Sequence, residues 1–82
     1  MFTIIYGRRG CGKTRNAARL RAKYPHKHFV DDWWVAPRKH SDKTLQTDAD
    51  ILLLTAMPLD QIQRITKGLR DVRVITFDEA MS

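Results

Sequence analysis

Eight consecutive residues, Gly7-Arg8-Arg9-Gly10-Cys11-Gly12-Lys13-Thr14, satisfy the spacing G-x-x-x-x-G-K-[ST] at every fixed position. Each fixed residue type has a chemical use. Gly7 and Gly12 permit backbone conformations and close approaches that a Cβ would block, so neighbouring N–H groups can surround an anion. Lys13 offers a mobile cation to the β- and γ-phosphates of a nucleotide, and Thr14 offers a hydroxyl to Mg²⁺. The first turn of a following helix, from Arg15, would add partial positive charge.

The flanks have the required form. Met1 to Tyr6 reads as a short apolar strand and Arg15 to Tyr24 as a helix stopped by Pro25. Over Met1 to Tyr24, about the first third of the chain, the sequence resembles the P-loop NTPases. The resemblance implies a nucleotide site made by Gly7, Arg8, Arg9, Gly10, Cys11, Gly12, Lys13, Thr14 and Arg15, with ATP and Mg²⁺ as cofactors.

Such a site needs an acid at the end of a neighbouring strand to hold the metal, and a second group to orient the attacking water. Two pairs qualify: Asp31-Asp32 after one apolar segment and Asp78-Glu79 after another. In a parallel sheet both pairs lie at the same carboxyl edge as the loop. Similarity to ATPases of the AAA and RecA type favours the first pair, because there the metal-binding acid is followed by a strand ending in a polar sensor. Leu52-Leu53-Leu54-Thr55 resembles that strand. This assigns Thr14 and Asp31 to the metal, and Lys13, Asp32 and Thr55 to catalysis. Thr55 has a plainer alternative as a cap for the next helix. Asp32 is shorter than the glutamate usual in that class, and no arginine finger can be assigned within the chain, which implies slow or partner-dependent hydrolysis.

The elements that must position these groups alternate along the chain. A second strand runs from Lys27 to Asp32, followed by Trp33-Trp34, of which one is expected to pack on the sheet edge and the other to stay partly exposed. Val35 to Thr47 is a polar connection with room for one helical turn, long enough for a parallel crossover. Asp50 to Thr55 is a continuous apolar run suited to a buried parallel strand. Pro58 opens a helix with an apolar stripe of Leu59, Ile62, Ile65 and Leu69, and Gly68 closes it. Val72 to Phe77 is the last strand. The expectation is one domain over residues 1–82: an α/β, small three-layer P-loop fold with about four parallel strands and two main helices on opposite faces, for which the likeness to AAA- and RecA-type ATPases, with the sensor strand between the loop strand and the Asp31 strand, implies the order 4-1-3-2.

Composition narrows the function classes. Eighty-two residues leave little room for a lid or second module. Cys11 is the only cysteine, so an intrachain disulfide is excluded, and a reducing cytoplasm is expected. His26, His28 and His40 have no partner at metal-ligand spacing, which argues against zinc. No apolar run is long enough for a membrane span. The net charge is +6, yet residues 1 to 30 hold eight basic side chains, Arg8, Arg9, Lys13, Arg15, Arg19, Arg21, Lys23 and Lys27, and no acid. Such a surface attracts polyanions, nucleotide or nucleic acid.

Two function classes follow. The first is an ATP-binding protein with weak or partner-dependent hydrolysis, resembling very short stand-alone P-loop ATPases of phages and bacteria. The second is a regulatory or nucleic-acid-binding module that uses the basic half and hydrolyses little or nothing. A kinase is the least favoured, since no acceptor domain is recognisable. Partners would be a nucleoside triphosphate, DNA or RNA, and a protein or a second copy of the chain.

Overall fold

The computed structural model describes residues 1–8, 12–46 and 49–82. Four strands, β1 (Phe2–Tyr6), β2 (His28–Val30), β3 (Ile51–Thr55) and β4 (Val72–Thr76), form one sheet in the order β2-β3-β1-β4. Every pairing is parallel. Read from the β4 edge, the order is the 4-1-3-2 that the sequence predicts. β3 is buried along its whole length, as a central parallel strand covered on both faces must be.

Alternation along the strands sends side chains to two cores. Phe2 and Ile4 of β1 and Ile51 and Leu53 of β3 face α2 (Leu59–Thr66), through Ile62 and Ile65, together with Trp33, Val35 and Leu45 from the long connection. Ile5, Leu52 and Leu54 face the other way, against Leu20 of α1 (Ala17–Lys23) and Ala80 of α3 (Phe77–Met81). The sheet is therefore the middle of three layers.

Several boundaries differ from the sequence expectation. The stripe of α2 is narrower than the spacing suggests: Ile62 and Ile65 are buried with Gln61, whereas Leu59 and Leu69 are exposed. Gly68 does end this helix, at φ +86°, with Leu69 N–H returning to Thr66 O at 3.0 Å. Regular helix in α1 begins at Ala17, two residues after Arg15. The third helix, α3, was not expected. Phe77 opens it instead of ending β4, because Thr76 Oγ1 accepts the Glu79 N–H at 3.0 Å and caps the turn. The connection contains the anticipated single turn, a 3₁₀ segment at Lys43–Gln46 held by buried Leu45.

Candidate functional site

The described part of the loop after β1 leaves the carboxyl edge of the sheet, where Gly7 N–H continues the ladder to Thr55 O at 3.2 Å. Gly12 adopts φ +100°, which favours glycine, and a Cβ there would stand 3.3 Å from Asn16 Nδ2 and press on that side chain. Gly7 is not in the left-handed region; its place in the motif is not explained by backbone sign. Asn16 holds the turn, donating from Nδ2 to Gly12 O at 2.8 Å while its own N–H is shared between Gly12 O and Lys13 O. Sequence reasoning missed Asn16, although an asparagine directly before an apolar-periodic segment is a known helix-start signal. The amides of Thr14 and Arg15 have no acceptor among the described residues.

Lys13 lies back across the loop: Nζ donates to Gly7 O at 2.9 Å and Arg8 O at 3.0 Å. Its ammonium thus bridges the helix side of the loop to the strand side. Thr14 Oγ1 donates to Asp31 Oδ1 at 3.2 Å. The same carboxylate oxygen accepts the Asp32 N–H at 2.8 Å. Asp32 has φ +54°, a left-handed conformation that aspartate tolerates better than most residues, and it turns the chain sharply out of β2. Gly12, Lys13, Thr14, Arg15, Asp31, Asp32 and Ala56 together line an open cavity of about 690 Å³.

The structure therefore brings Gly12, Lys13, Thr14, Arg15, Asp31 and Asp32 together. It does not bring Thr55 to them. Thr55 is fully buried, and its hydroxyl donates to Trp33 O at 2.6 Å and accepts Met57 N–H at 3.0 Å, which fixes the exit from β3 toward Pro58. Gly7 and Arg8 border a separate cavity of about 250 Å³ shared with Tyr6, Thr76, Phe77 and Asp78. Asp78 consequently sits on the far flank of the loop from Thr14, and Glu79 is in the first turn of α3. Arg9, Gly10 and Cys11 lie outside the described residues.

Among the described residues no group of three His, Cys, Asp or Glu side chains could hold a metal ion. Thr14 and Asp31 are nonetheless a suitable hard-oxygen pair for Mg²⁺, which is bound through one or two protein oxygens when phosphates complete its shell. Buried Thr3 and the half-buried His26 and Asp50 make a different polar chain. Thr3 Oγ1 and His26 Nε2 are 2.8 Å apart, and His26 Nδ1 is bonded to Asp50 Oδ1. The hydrogen bond from His26 holds the Asp50 carboxyl below its ordinary pKa. Thr3 is 1% exposed, and the chain lies at the amino edge of the sheet, away from the loop. It ties the β2 and β3 entrances to β1, and nothing in the sequence spacing announces it.

Trp33 is buried with Nε1 donating to Asp42 Oδ2 at 2.8 Å, and Trp34 is exposed, as the paired tryptophans were expected to divide. No helix among the described residues is long and apolar enough to cross a membrane. No family model, curated protein or solved structure matches the chain.

Proposed function

We propose that the chain binds a nucleoside triphosphate, ATP in the first instance, with Mg²⁺ in the cavity between the 7–14 loop and Asp31-Asp32, and that hydrolysis is weak or depends on a partner. The observation that carries this reading is the 3.2 Å contact between Thr14 Oγ1 and Asp31 Oδ1. It joins the hydroxyl of the loop motif to the acid after β2 across the carboxyl edge of a parallel sheet, where ligands of open α/β folds bind. The 4-1-3-2 order, with β3 between β1 and β2, also accords with the resemblance to P-loop ATPases of the AAA and RecA type.

Each residue then has a role. The amides of Thr14 and Arg15, without an acceptor among the described residues, and the Lys13 ammonium receive phosphate oxygens. Thr14 and Asp31 hold the magnesium, whose chemistry is to offset charge on the β- and γ-phosphates. Asp32 is the side chain placed to orient water. Thr55 is left out of the chemistry, because its hydroxyl is fully committed inside the protein. The cytoplasm, rich in ATP and reducing toward Cys11, is the compartment that suits this activity.

Lys13→Ala tests the reading. Removing a charge-assisted donor to phosphate costs about 1.5–3 kcal/mol, so MgATP affinity by calorimetry should fall at least about tenfold. Because Lys13 already satisfies Gly7 O and Arg8 O in the structure, part of its phosphate interaction is offset by releasing them, which places the effect toward the lower end. Unchanged affinity removes the phosphate-loop reading.

A further inference from the structure

The connection between β2 and β3 has a second concentration of positive charge. Arg38, Lys39, His40, Ser41, Asp42, Lys43 and Gln46 line a cavity of about 710 Å³ on this connection. None of the residues 38–43 contributes to the cavity holding Thr14 and Asp31. We propose that this surface binds a single-stranded nucleic acid, with backbone phosphates on Arg38, Lys39 and Lys43 and a base stacked on Trp34.

Three features separate it from an ordinary solvated loop. The first is support from below. Buried Gln61 of α2 donates from Nε2 to Ala36 O at 3.0 Å, and Arg64 Nη1 donates to Pro37 O at 2.7 Å. Lys39 N–H returns to Ala36 O at 3.0 Å and Leu45 N–H to Asp42 O at 3.0 Å, while Val35 and Leu45 are anchored in the core. The backbone that presents the cations is thus fixed before any ligand arrives, which lowers the ordering cost of binding.

The second feature is uncommitted charge. The side chains of Arg38, Lys39 and Lys43 make no ion pair or hydrogen bond among the described residues, and the one acid of the group, Asp42, accepts from Trp33 Nε1. The α1 region differs only in part: Arg15 and Arg19 are likewise without an ion pair or hydrogen bond among the described residues, but Lys23 and Arg21 are engaged. Lys23 Nζ donates to Ala80 O at 2.8 Å and Ser82 O at 2.7 Å, and the Arg21 guanidinium stands 5.0 Å over the Phe29 ring. Two of its cations thus hold the fold together, so the larger share of basic residues in the first thirty positions overstates the anion-binding capacity of that half.

The third feature is Trp34, 55% exposed while its neighbour Trp33 fills the core. An exposed indole four residues before Arg38 on the same connection has little use in packing. It suits a polymer that alternates phosphates with aromatic faces, since every base has a π-face and stacking requires no particular sequence. A duplex hides those faces, which is why a single strand is the partner the surface fits.

The test uses a fluorescently labelled oligothymidylate of about fifteen nucleotides and the full chain, without nucleotide or magnesium, so that it stands apart from the ATP site. Anisotropy should report binding at about 50 mM salt, weakening steeply as salt rises. Single strands lose about 0.7 in logarithmic slope per neutralised phosphate, so joint Arg38→Gln, Lys39→Gln and Lys43→Gln should reduce the slope by about 2. Trp34→Ala should weaken binding about tenfold with the slope retained. These four side chains are exposed, so thermal melting of the variants should match the wild type. The proposal is overturned by absence of binding at low salt, or by a triple variant of unchanged affinity and slope. It is overturned equally by loss of binding in Arg15→Gln with Arg19→Gln instead, which would put the strand on Arg15 and the start of α1, and by Trp34→Ala binding as tightly as the wild type.

Discussion

Asp31→Asn isolates the proposed metal role from the local fold. In the structure Asp31 Oδ1 is an acceptor twice, from Thr14 Oγ1 at 3.2 Å and from Asp32 N–H at 2.8 Å. An asparagine carbonyl oxygen can take both roles, so the turn after β2 should keep its shape while one negative charge is lost. The site is exposed, and the dielectric of water is therefore the appropriate screen. A cation drawn to the Thr14 hydroxyl lies within about 4 Å of the carboxylate, and a divalent ion attracts a single charge at that distance by about 2 kcal/mol. The substitution should weaken magnesium-dependent ATP binding roughly thirtyfold at low salt, with a smaller effect as ionic strength rises. Calorimetric titration with ATP, in magnesium and again in a chelator, reads this directly. The wild type should bind more tightly with magnesium, the variant nearly equally in both, and Asp78→Asn should behave as the wild type. If Asp78→Asn loses the magnesium dependence and Asp31→Asn keeps it, the metal belongs on the flank with Tyr6, Gly7 and Arg8, and the assignment of Asp31 is refuted.

The neighbouring acid and the acid at the opposite sheet edge give two further expectations. Asp32 sits at φ +54°, where asparagine is tolerated and a β-branched residue is strained, so Asp32→Val should lose about 1–3 kcal/mol in denaturant unfolding while Asp32→Asn loses little. If Asp32 orients the attacking water, both should cut turnover without weakening ATP binding; turnover equal to the wild type in Asp32→Asn would remove it from catalysis. Asp50 has its pKa lowered by His26, so its contribution to stability is present above the unfolded value near 3.8 and is lost as pH falls through the lower folded value. Thermal melting of Asp50→Asn should therefore be reduced at neutral pH, with the gap to the wild type closing below about pH 4, and a gap that persists at acid pH would contradict that linkage.

The fold was readable because its signals are periodic and dense. The LLLT run of β3 has no polar residue to expose before Thr55, and a strand covered on both faces in a parallel sheet is the arrangement that uses it. The strand order comes from the resemblance to AAA- and RecA-type ATPases, which puts the Thr55 strand between the loop strand and the Asp31 strand, and right-handed crossovers then assign the helices to opposite faces. The short helix α3 escaped notice for a local reason. Val-Arg-Val-Ile-Thr-Phe alternates well enough to read as strand to its end, while the cap Thr76 makes to Glu79 competes only over the last few residues. That one turn of helix places Asp78 beside Gly7 and Arg8, on the β4 flank of the loop.

The site was legible where chemistry depends on contiguous residues, and not where it depends on which way a hydroxyl points. Thr14 and Thr55 are both threonines at the carboxyl edge, and a sequence treats them alike. The difference comes from the chain around them: Thr14 follows a left-handed glycine in an exposed turn and meets Asp31, whereas Thr55 ends a strand buried on both faces and is surrounded by backbone that needs its hydrogen bonds. An unbonded carbonyl at Trp33 inside the core would cost about 1–3 kcal/mol, a cost that the Thr55 hydroxyl bond avoids. The charge pattern misleads in the same way. Basic residues of the first thirty look equally available for anions by count, but Lys23 and Arg21 are bonded or stacked within the protein, whereas Arg38, Lys39 and Lys43 make no ion pair or hydrogen bond among the described residues and come from a stretch whose net charge is diluted by Asp42. Availability of a charge is set by what the folded backbone leaves it to touch, and that is a property of tertiary structure that composition does not carry.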